Sequence, residues 1–264
     1  MDKFVNKVFQ MDNLELMKQI PDNSIDLIYC DILYGTGRDF GDYKDIKANR
    51  DEVEEFYIPR IKEMHRILNG TGSIYLHMDW RINHWIRCIM DDIFGYKNFK
   101  NNIVWCYRSQ GFNRRQWSNK HDDILFYTKG SDWTFNLDDV REDEIAESTW
   151  KRWHKEIEEY GKIPTKKNGK LYWNNPYSPP RDWFDINIVA PVHSERVDYQ
   201  TQKPKELIEK IIIASSNKGD VVADFFCGSG TTPVVAKELG RKYIACDIEE
   251  KAVNITKNRL EEIK

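Results

Sequence analysis

The sequence predicts an α/β protein, a mostly parallel twisted sheet with helices on both faces, interrupted by one small insertion. Three observations carry that prediction. Residues 221–247 read as strand, glycine turn, helix, strand and acid, which is a βαβ unit of a parallel sheet. Residues 25–77 repeat the plan, with a strand that ends in Asp31, then a loop, a helix and a second strand. From Gly130 to Arg196 the periodicity weakens into mixed charge, several tryptophans and the turn-rich stretch from Asn174 to Pro180, as a separate small module would. The expected division is therefore 1–129 with 197–264 as one domain and 130–196 as the insertion.

Taken in order, Asn13 to Gln19 has helical spacing, and Pro21-Asp22-Asn23-Ser24 is a turn. Ile25 to Cys30 is a short apolar strand, and Gly35 to Asp45 is a loop rich in glycine and charge. Val53 to Leu68 is predicted helical, Asn69-Gly70-Thr71-Gly72 a turn, and Ser73 to His77 a strand. A helix over Arg81 to Phe94 precedes strands at Ile103 to Tyr107 and Ile124 to Tyr127. After the insertion, Leu207 to Ser216 is helical and Asn217-Lys218-Gly219-Asp220 turns the chain into the strand Val221 to Phe226. Thr231 to Leu239 is a helix closed by Gly240, Tyr243 to Cys246 a buried strand, and Glu249 to Ile263 an amphipathic helix.

Composition narrows the class. A chain of 264 residues holds one α/β domain with an embedded module, and 40% hydrophobic with 31% charged residues is ordinary for a globular protein. No apolar run is long enough to cross a membrane, and the first residues are too charged for a secretory signal, so a cytoplasmic location is expected. The five cysteines form no C-x-x-C pair and the six histidines are dispersed, so neither a disulfide framework nor a metal site is expected. A net charge of −3 does not advertise a nucleic-acid partner, but charge is unevenly spread. Between Lys97 and Lys120 the chain carries Lys100, Arg108, Arg114 and Arg115 as well, with no acid, and Trp105, Tyr107, Phe112 and Trp117 lie among them. Such a stretch suits a phosphate backbone with unstacked bases; a solvated loop beside a core strand fits it equally well.

Two strand ends carry chemistry. In Asp224-Phe-Phe-Cys-Gly-Ser-Gly-Thr-Thr232, small residues let a ligand approach the backbone at the carboxyl edge of the sheet. Asp247 follows Gly228 by 19 positions, near the distance at which an acid meets ribose hydroxyls. The G-x-G-x-x-G fingerprint of nicotinamide enzymes is absent, as is the Gly-Lys-Ser/Thr of a phosphate-binding loop. At the other strand end, Asp31-Ile32-Leu33-Tyr34 places a carboxylate, a carbonyl and an aromatic ring within four residues. The two acceptors suit the hydrogens of an exocyclic amine, and the ring suits the face of a base.

Together these segments resemble the amino-group DNA methyltransferases of the permuted type, the beta group, in which the catalytic half precedes the cofactor half. The resemblance spans nearly the whole chain. It rests on Pro21 to Leu27 leading into Asp31–Tyr34, Gly37-Arg-Asp-Phe-Gly41, Gly72 to His77 and Lys120 to Tyr127. Beyond the insertion it rests on Asp182 to Ile186, Glu195-Arg196, Tyr199-Gln-Thr-Gln-Lys-Pro204 and Asp224–Thr232. It implies a Rossmann-like S-adenosylmethionine-dependent methyltransferase fold, with 130–196 as a target-recognition insertion. One departure stands out. The family's tetrapeptide is usually Asp-Pro-Pro-Tyr followed by Asn, whereas Ile32, Leu33 and Gly35 stand here. They keep the hydrogen-bonding atoms, give up the fixed φ of the prolines and add backbone N–H groups.

The resemblance also implies roles. Asp31 and the carbonyl of Ile32 accept the target amine's hydrogens, and Tyr34 stacks on the extruded base. Phe226, Gly228, Ser229 and Gly230 line the S-adenosylmethionine pocket beside Asp224. Thr201, Lys203 and Thr232 lie near its methionine end, with Lys203 or Thr232 on the carboxylate, and Asp247 takes the ribose. Asp12 contacts the cofactor's adenine ring or, equally, caps a helix. Lys97, Arg108, Arg114, Arg115 and Lys120 contact DNA. The implied partners are double-stranded DNA, a second copy in a homodimer and a cognate restriction endonuclease. The implied reaction is transfer to N6 of a flipped-out adenine. N4 of cytosine keeps the mechanism and changes the base, and a catalytically impaired DNA-binding homologue keeps only the fold. An RNA or small-molecule methyltransferase would lack the insertion.

Overall fold

The computed structural model describes residues 1–39, 45–109 and 113–263. Phe40, Gly41 and Phe112, which the sequence argument used, lie outside these residues. The chain divides into two compact units, one of residues 1–135 and 182–264 and one of residues 136–181. The second unit is narrower than the expected 130–196, because its flanks pack with the main unit: Asp182 already accepts a hydrogen bond from the Val104 amide in the sheet.

In the main unit the strands are β1 (Lys7–Gln10), β2 (Ile25–Asp31), β3 (Leu68–Met78), β4 (Phe99–Cys106) and β5 (His121–Thr128). After the second unit come β8 (Trp183–Asp185), β9 (Val221–Asp224) and β10 (Lys242–Asp247). Their spatial order is β1-β10-β9-β2-β3-β5-β4-β8. Among the described strands of this sheet only β5 runs against its neighbours, β3 and β4; the other pairings are parallel. The helices are α1 (Asn13–Met17), α2 (Arg50–Ile67), α3 (Asn83–Met90), α5 (Lys205–Ser215), α6 (Thr231–Glu238) and α7 (Glu250–Glu261).

The central strands read as unbroken apolar runs because both of their faces are covered. Ile28 and Cys30 of β2, Ile74 and Leu76 of β3, and Leu125 and Tyr127 of β5 point into one core with residues of α1, α2 and α3. The intervening Leu27, Tyr29, Tyr75, Ile124 and Phe126 point into the other with α5 and α6. That period of two is the strand signature, and burying these side chains contributes roughly 1.5–3 kcal/mol each.

Several expectations are corrected. β1 and β8 were not anticipated. The expected turn at Asn69–Gly72 is a bulge within β3, where the partner of β2 jumps from Leu68 to Ser73. The helix expected to Phe94 ends at Met90, followed by one widened helical turn over Asp91–Gly95. The second unit holds α4 (Glu147–Tyr160) and an antiparallel ribbon of β6 (Ile163–Lys167) and β7 (Lys170–Asn174), where the sequence had shown only weak periodicity.

Candidate active site

At the carboxyl edge of the parallel strands a cavity of about 440 Å3 opens, lined by the ends of β2, β9 and β10 and by residues of α2 and the 199–203 segment. Asp31, Ile32, Tyr34, Thr201, Lys203, Asp224, Phe226, Gly228, Ser229, Thr232, Asp247 and Asp12 all reach it. Two strand ends distant in sequence thus meet because β9 pairs with β2.

The Asp31 end is a web of polar groups. The Tyr34 hydroxyl donates to Asp31 (2.7 Å) and to Asp122 (3.2 Å), and the Lys203 ammonium pairs with the other Asp31 oxygen. Behind them His77 is fully buried, with Nδ1 2.7 Å from the Tyr29 hydroxyl and Nε2 3.3 Å from Asp122. Tyr107 also donates to Asp122, at 3.0 Å. Burial would raise the Asp122 carboxyl, but the His77 hydrogen bond and charge, Lys203 and Tyr107 outweigh it and hold Asp122 below its ordinary range. Burial first, and the charge of Asp31 second, push the Tyr34 hydroxyl well up, so it stays protonated and can donate.

The turn after β2 is held without prolines. The Ile32 amide donates to the His77 carbonyl at 3.0 Å, a bond that proline has no hydrogen to make. Tyr57 donates to the Leu33 carbonyl (2.9 Å), and buried Asp45 accepts from the Gly35 amide (3.1 Å) and from the Thr36 amide and hydroxyl. Gly35 has φ +74°, and a Cβ there would lie 2.7 Å from Ile82, so glycine is required on both grounds.

At the other end Asp247 accepts from the Gly228 amide (2.8 Å) and the Glu249 amide (3.0 Å). Burial raises its carboxyl, against the pull of those amides. Asp224 lines the cavity too, with its carboxylate hydrogen-bonded to the protein. It accepts from the Phe226 amide and the Thr232 hydroxyl, and burial pushes it up to about 7. Asp224 and Thr232 therefore brace the glycine turn through each other. Gly230 does not line the cavity: its φ is +77°, and a Cβ would meet Thr256 of α7 at 2.4 Å, so its task is close packing. Lys203 is engaged with Asp31. Asp12 caps α1 through the Leu14 and Glu15 amides and also lines the cavity, where Arg60 pairs with it at 2.7 Å.

The basic residues separate. Asp31, His77, Ile124 and Ile103 form one row across the strands, and Lys97 lies beyond the start of β4, at least roughly 13 Å towards the opposite edge. Lys97 therefore falls away from the other four. Arg108, Arg114 and Arg115 are exposed on the loop leaving β4 at the cavity edge, with Trp117 fully exposed among them and Trp105 buried in the core. Lys120 closes the loop's base on the Ser109 carbonyl at 2.6 Å.

Sequence reasoning missed His77, Asp122, Asp45 and Arg60. The first two stood in segments that carried the resemblance, but only the pairing of β2 with β3 sets His77 beside Asp31, and only the placing of β5 beside β3 adds Asp122. Arg60 is buried, bonds Asn13 (2.7 Å) and lies over the Phe56 ring at 3.7 Å, and a lone arginine within a helix gives no signal. Among the described residues no cluster of His, Cys, Asp or Glu is fit to hold a metal.

A family model described as DNA methylase matches residues 25–258. The Type II methyltransferase M.HpaI of Haemophilus parainfluenzae is 33% identical over 94% of this chain and 72% of its own length. The DNA adenine methyltransferase YhdJ of Escherichia coli is 31% identical over 95% of this chain and 81% of its own. Among solved structures, the cytosine-N4-specific PvuII DNA methyltransferase superposes with a TM-score of 0.69 at 16% identity, over 98% of this chain and 88% of that one.

Proposed function

The chain belongs to the DNA methylase family, and we propose that it methylates N6 of a flipped-out adenine in double-stranded DNA. S-adenosylmethionine is its methyl donor. The cavity suits that molecule in size, in the carboxylate at the end of β10 and in the open glycine turn. Asp247 would hold its ribose, Phe226, Gly228 and Ser229 would line its path, Asp12 would face its adenine, and Thr201 and Lys203 would face its methionine end. When bound it supplies an electrophilic sulfonium methyl.

The observation that carries the proposal is Asp31, already gripping an ammonium N–H from Lys203 at the mouth of the same cavity as Asp247. Asp31 and the Ile32 carbonyl would take the two hydrogens of the target amine in place of Lys203. An exocyclic amine is a poor nucleophile because its lone pair is delocalised into the ring. Two acceptors favour a pyramidal nitrogen and receive the positive charge that develops on it. Tyr34 would stack on the base while Asp122 steers its hydroxyl. Extruding the nucleotide costs on the order of a few kcal/mol, which contacts from Arg108, Arg114, Arg115 and Lys120 offset.

Several finer features belong to the same proposal. The catalytic strand end precedes the cofactor strand end in the chain, the permuted beta-group order. The insertion is the target-recognition element, the cell compartment is the cytoplasm, and the assemblies are a homodimer and a pairing with a restriction endonuclease of matching site. The adenine-specific name of the Escherichia coli relative and an aspartate at the first tetrapeptide position support adenine. N4 of cytosine is the second reading, favoured by the N4-specific fold neighbour. Asp31→Ala tests the mechanism: methyl transfer to DNA should be lost with cofactor binding retained, and unchanged turnover would remove Asp31 from the reaction.

A further inference from the structure

A second stretch of the chain is basic and free of acid. From Tyr160 to Pro180 there are four lysines, Lys162, Lys166, Lys167 and Lys170, and no Asp or Glu, in a chain with 43 acids against 40 Lys and Arg. The structure folds its centre into the β6–β7 ribbon, turned at Asn168-Gly169 with φ of +52° and +76°, the tight two-residue hairpin that this dipeptide favours. Little of the ribbon is covered. Within residues 136–181 Pro176 alone is buried, and Leu171, Tyr172 and Trp173 stand exposed on β7.

Register divides the ribbon into two faces, since directly opposed residues share a side. Pro164 with Trp173 and Lys166 with Leu171 make one face, and Trp173 packs against Tyr160 at the end of α4, ring centroids 5.1 Å apart. The other face carries Lys167 with Lys170, Thr165 with Tyr172 and Ile163 with Asn174, and the Asn174 amide donates to the Thr165 hydroxyl across it. Two lysines placed opposite each other at the tip repel, an arrangement that costs stability until an anion lies between or beside them. Donors and acceptors two residues apart along a strand are about 6.8 Å apart, which is two base-pair steps of about 3.4 Å.

We propose that this ribbon enters the major groove of duplex DNA. Thr165, Tyr172 and Asn174 meet base edges, and the tip lysines Lys167 and Lys170 meet phosphates. A two-stranded ribbon fits that groove, and the groove is where every base pair presents a distinct pattern. The proposal rests on DNA as substrate and on residues 136–181 as the recognition element, and it names the face that reads.

Two variants test it, Tyr172→Phe with Asn174→Ala, and Lys167→Ala with Lys170→Ala. Methylated positions on unmethylated genomic DNA are mapped base by base, and duplex affinity is measured across salt concentration. Cofactor affinity reports that the main unit of each variant is folded, and an unchanged circular-dichroism spectrum that the 136–181 unit is. The first variant should methylate a motif relaxed at one or two positions with the salt slope kept. The second should keep the motif while the slope of log affinity on log salt falls by about 0.9 per lysine removed. Wild-type motif and slope in both variants would overturn the ribbon's role. A wild-type chain that methylates no DNA would instead overturn the broader reading.

Discussion

Asp31 and Asp224 are carboxylates at the ends of adjacent strands, and their surroundings give them different tasks. Asp31 faces the cavity with hydrogen-bond donors that a substrate amine can replace, whereas the buried Asp224 spends its carboxylate on the Phe226 amide and the Thr232 hydroxyl of the glycine turn. Because burial raises the folded-state value of Asp224 to about 7, above the ordinary 3.8, the folded state holds a proton that the unfolded state releases between those values. Stability from this group is full below about pH 4 and is lost as pH rises towards 7. Asp224→Asn should therefore gain melting temperature relative to the wild type from pH 4.5 to pH 7.5; parallel curves would contradict the assignment. Asp122 acts on Tyr34 from behind. Asp122→Asn should lower turnover by up to about 100-fold through misplacement of the ring, with cofactor affinity unchanged. Asp31 and Asp247 were legible in the sequence because each ends an apolar strand, and Tyr34 because it stands in the tetrapeptide that Asp31 begins. His77 and Asp122 had no role there, because their meeting depends on β5 running antiparallel between β3 and β4.

Among the elements, the turn after β2 shows how a family motif changes without changing its task. The stiffness that prolines would supply comes instead from the Ile32 amide on His77, from Tyr57 on Leu33 and from Asp45 on Gly35 and Thr36. Ile32→Pro should therefore destabilise the protein, by roughly 1–3 kcal/mol, because it leaves the buried His77 carbonyl unpaired. A thermal melt checks this, and an unchanged midpoint would show the bond to be dispensable. The loop from β4 to β5 is the second informative element. Its base is pinned by Tyr107 and Lys120, and its exposed arginines stand at the cavity edge. Arg114→Ala with Arg115→Ala should weaken DNA binding and reduce the salt slope by about 2; an unchanged affinity and slope would make the stretch a solvated loop. Sequence spacing read this segment as one basic surface. It could not show that β4 carries Lys97 and Arg114 to opposite edges.

At the scale of the whole molecule, the cavity joins both ends of the chain, since β1 and α1 approach it from the start and β9, β10 and the glycine turn from the end. The βαβ plan was legible from apolar runs of four to seven residues ending in acids or glycines. β1 was not, because an edge strand of four residues shows no alternation; the insertion was legible as a module, but not its helix and ribbon, because without a core of its own it leaves no periodic pattern. Binding that draws on both halves should stabilise the whole fold. S-adenosylmethionine at 100 times its dissociation constant should add about 2.7 kcal/mol, a rise in melting temperature of several degrees that Asp247→Ala should diminish. The most direct test of the central claim is transfer of labelled methyl from S-adenosylmethionine to unmethylated genomic DNA, with nucleoside analysis of the product. The account predicts labelled N6-methyladenine. Label on N4-methylcytosine would contradict the choice of base, and no label with the cofactor bound would contradict the enzyme itself.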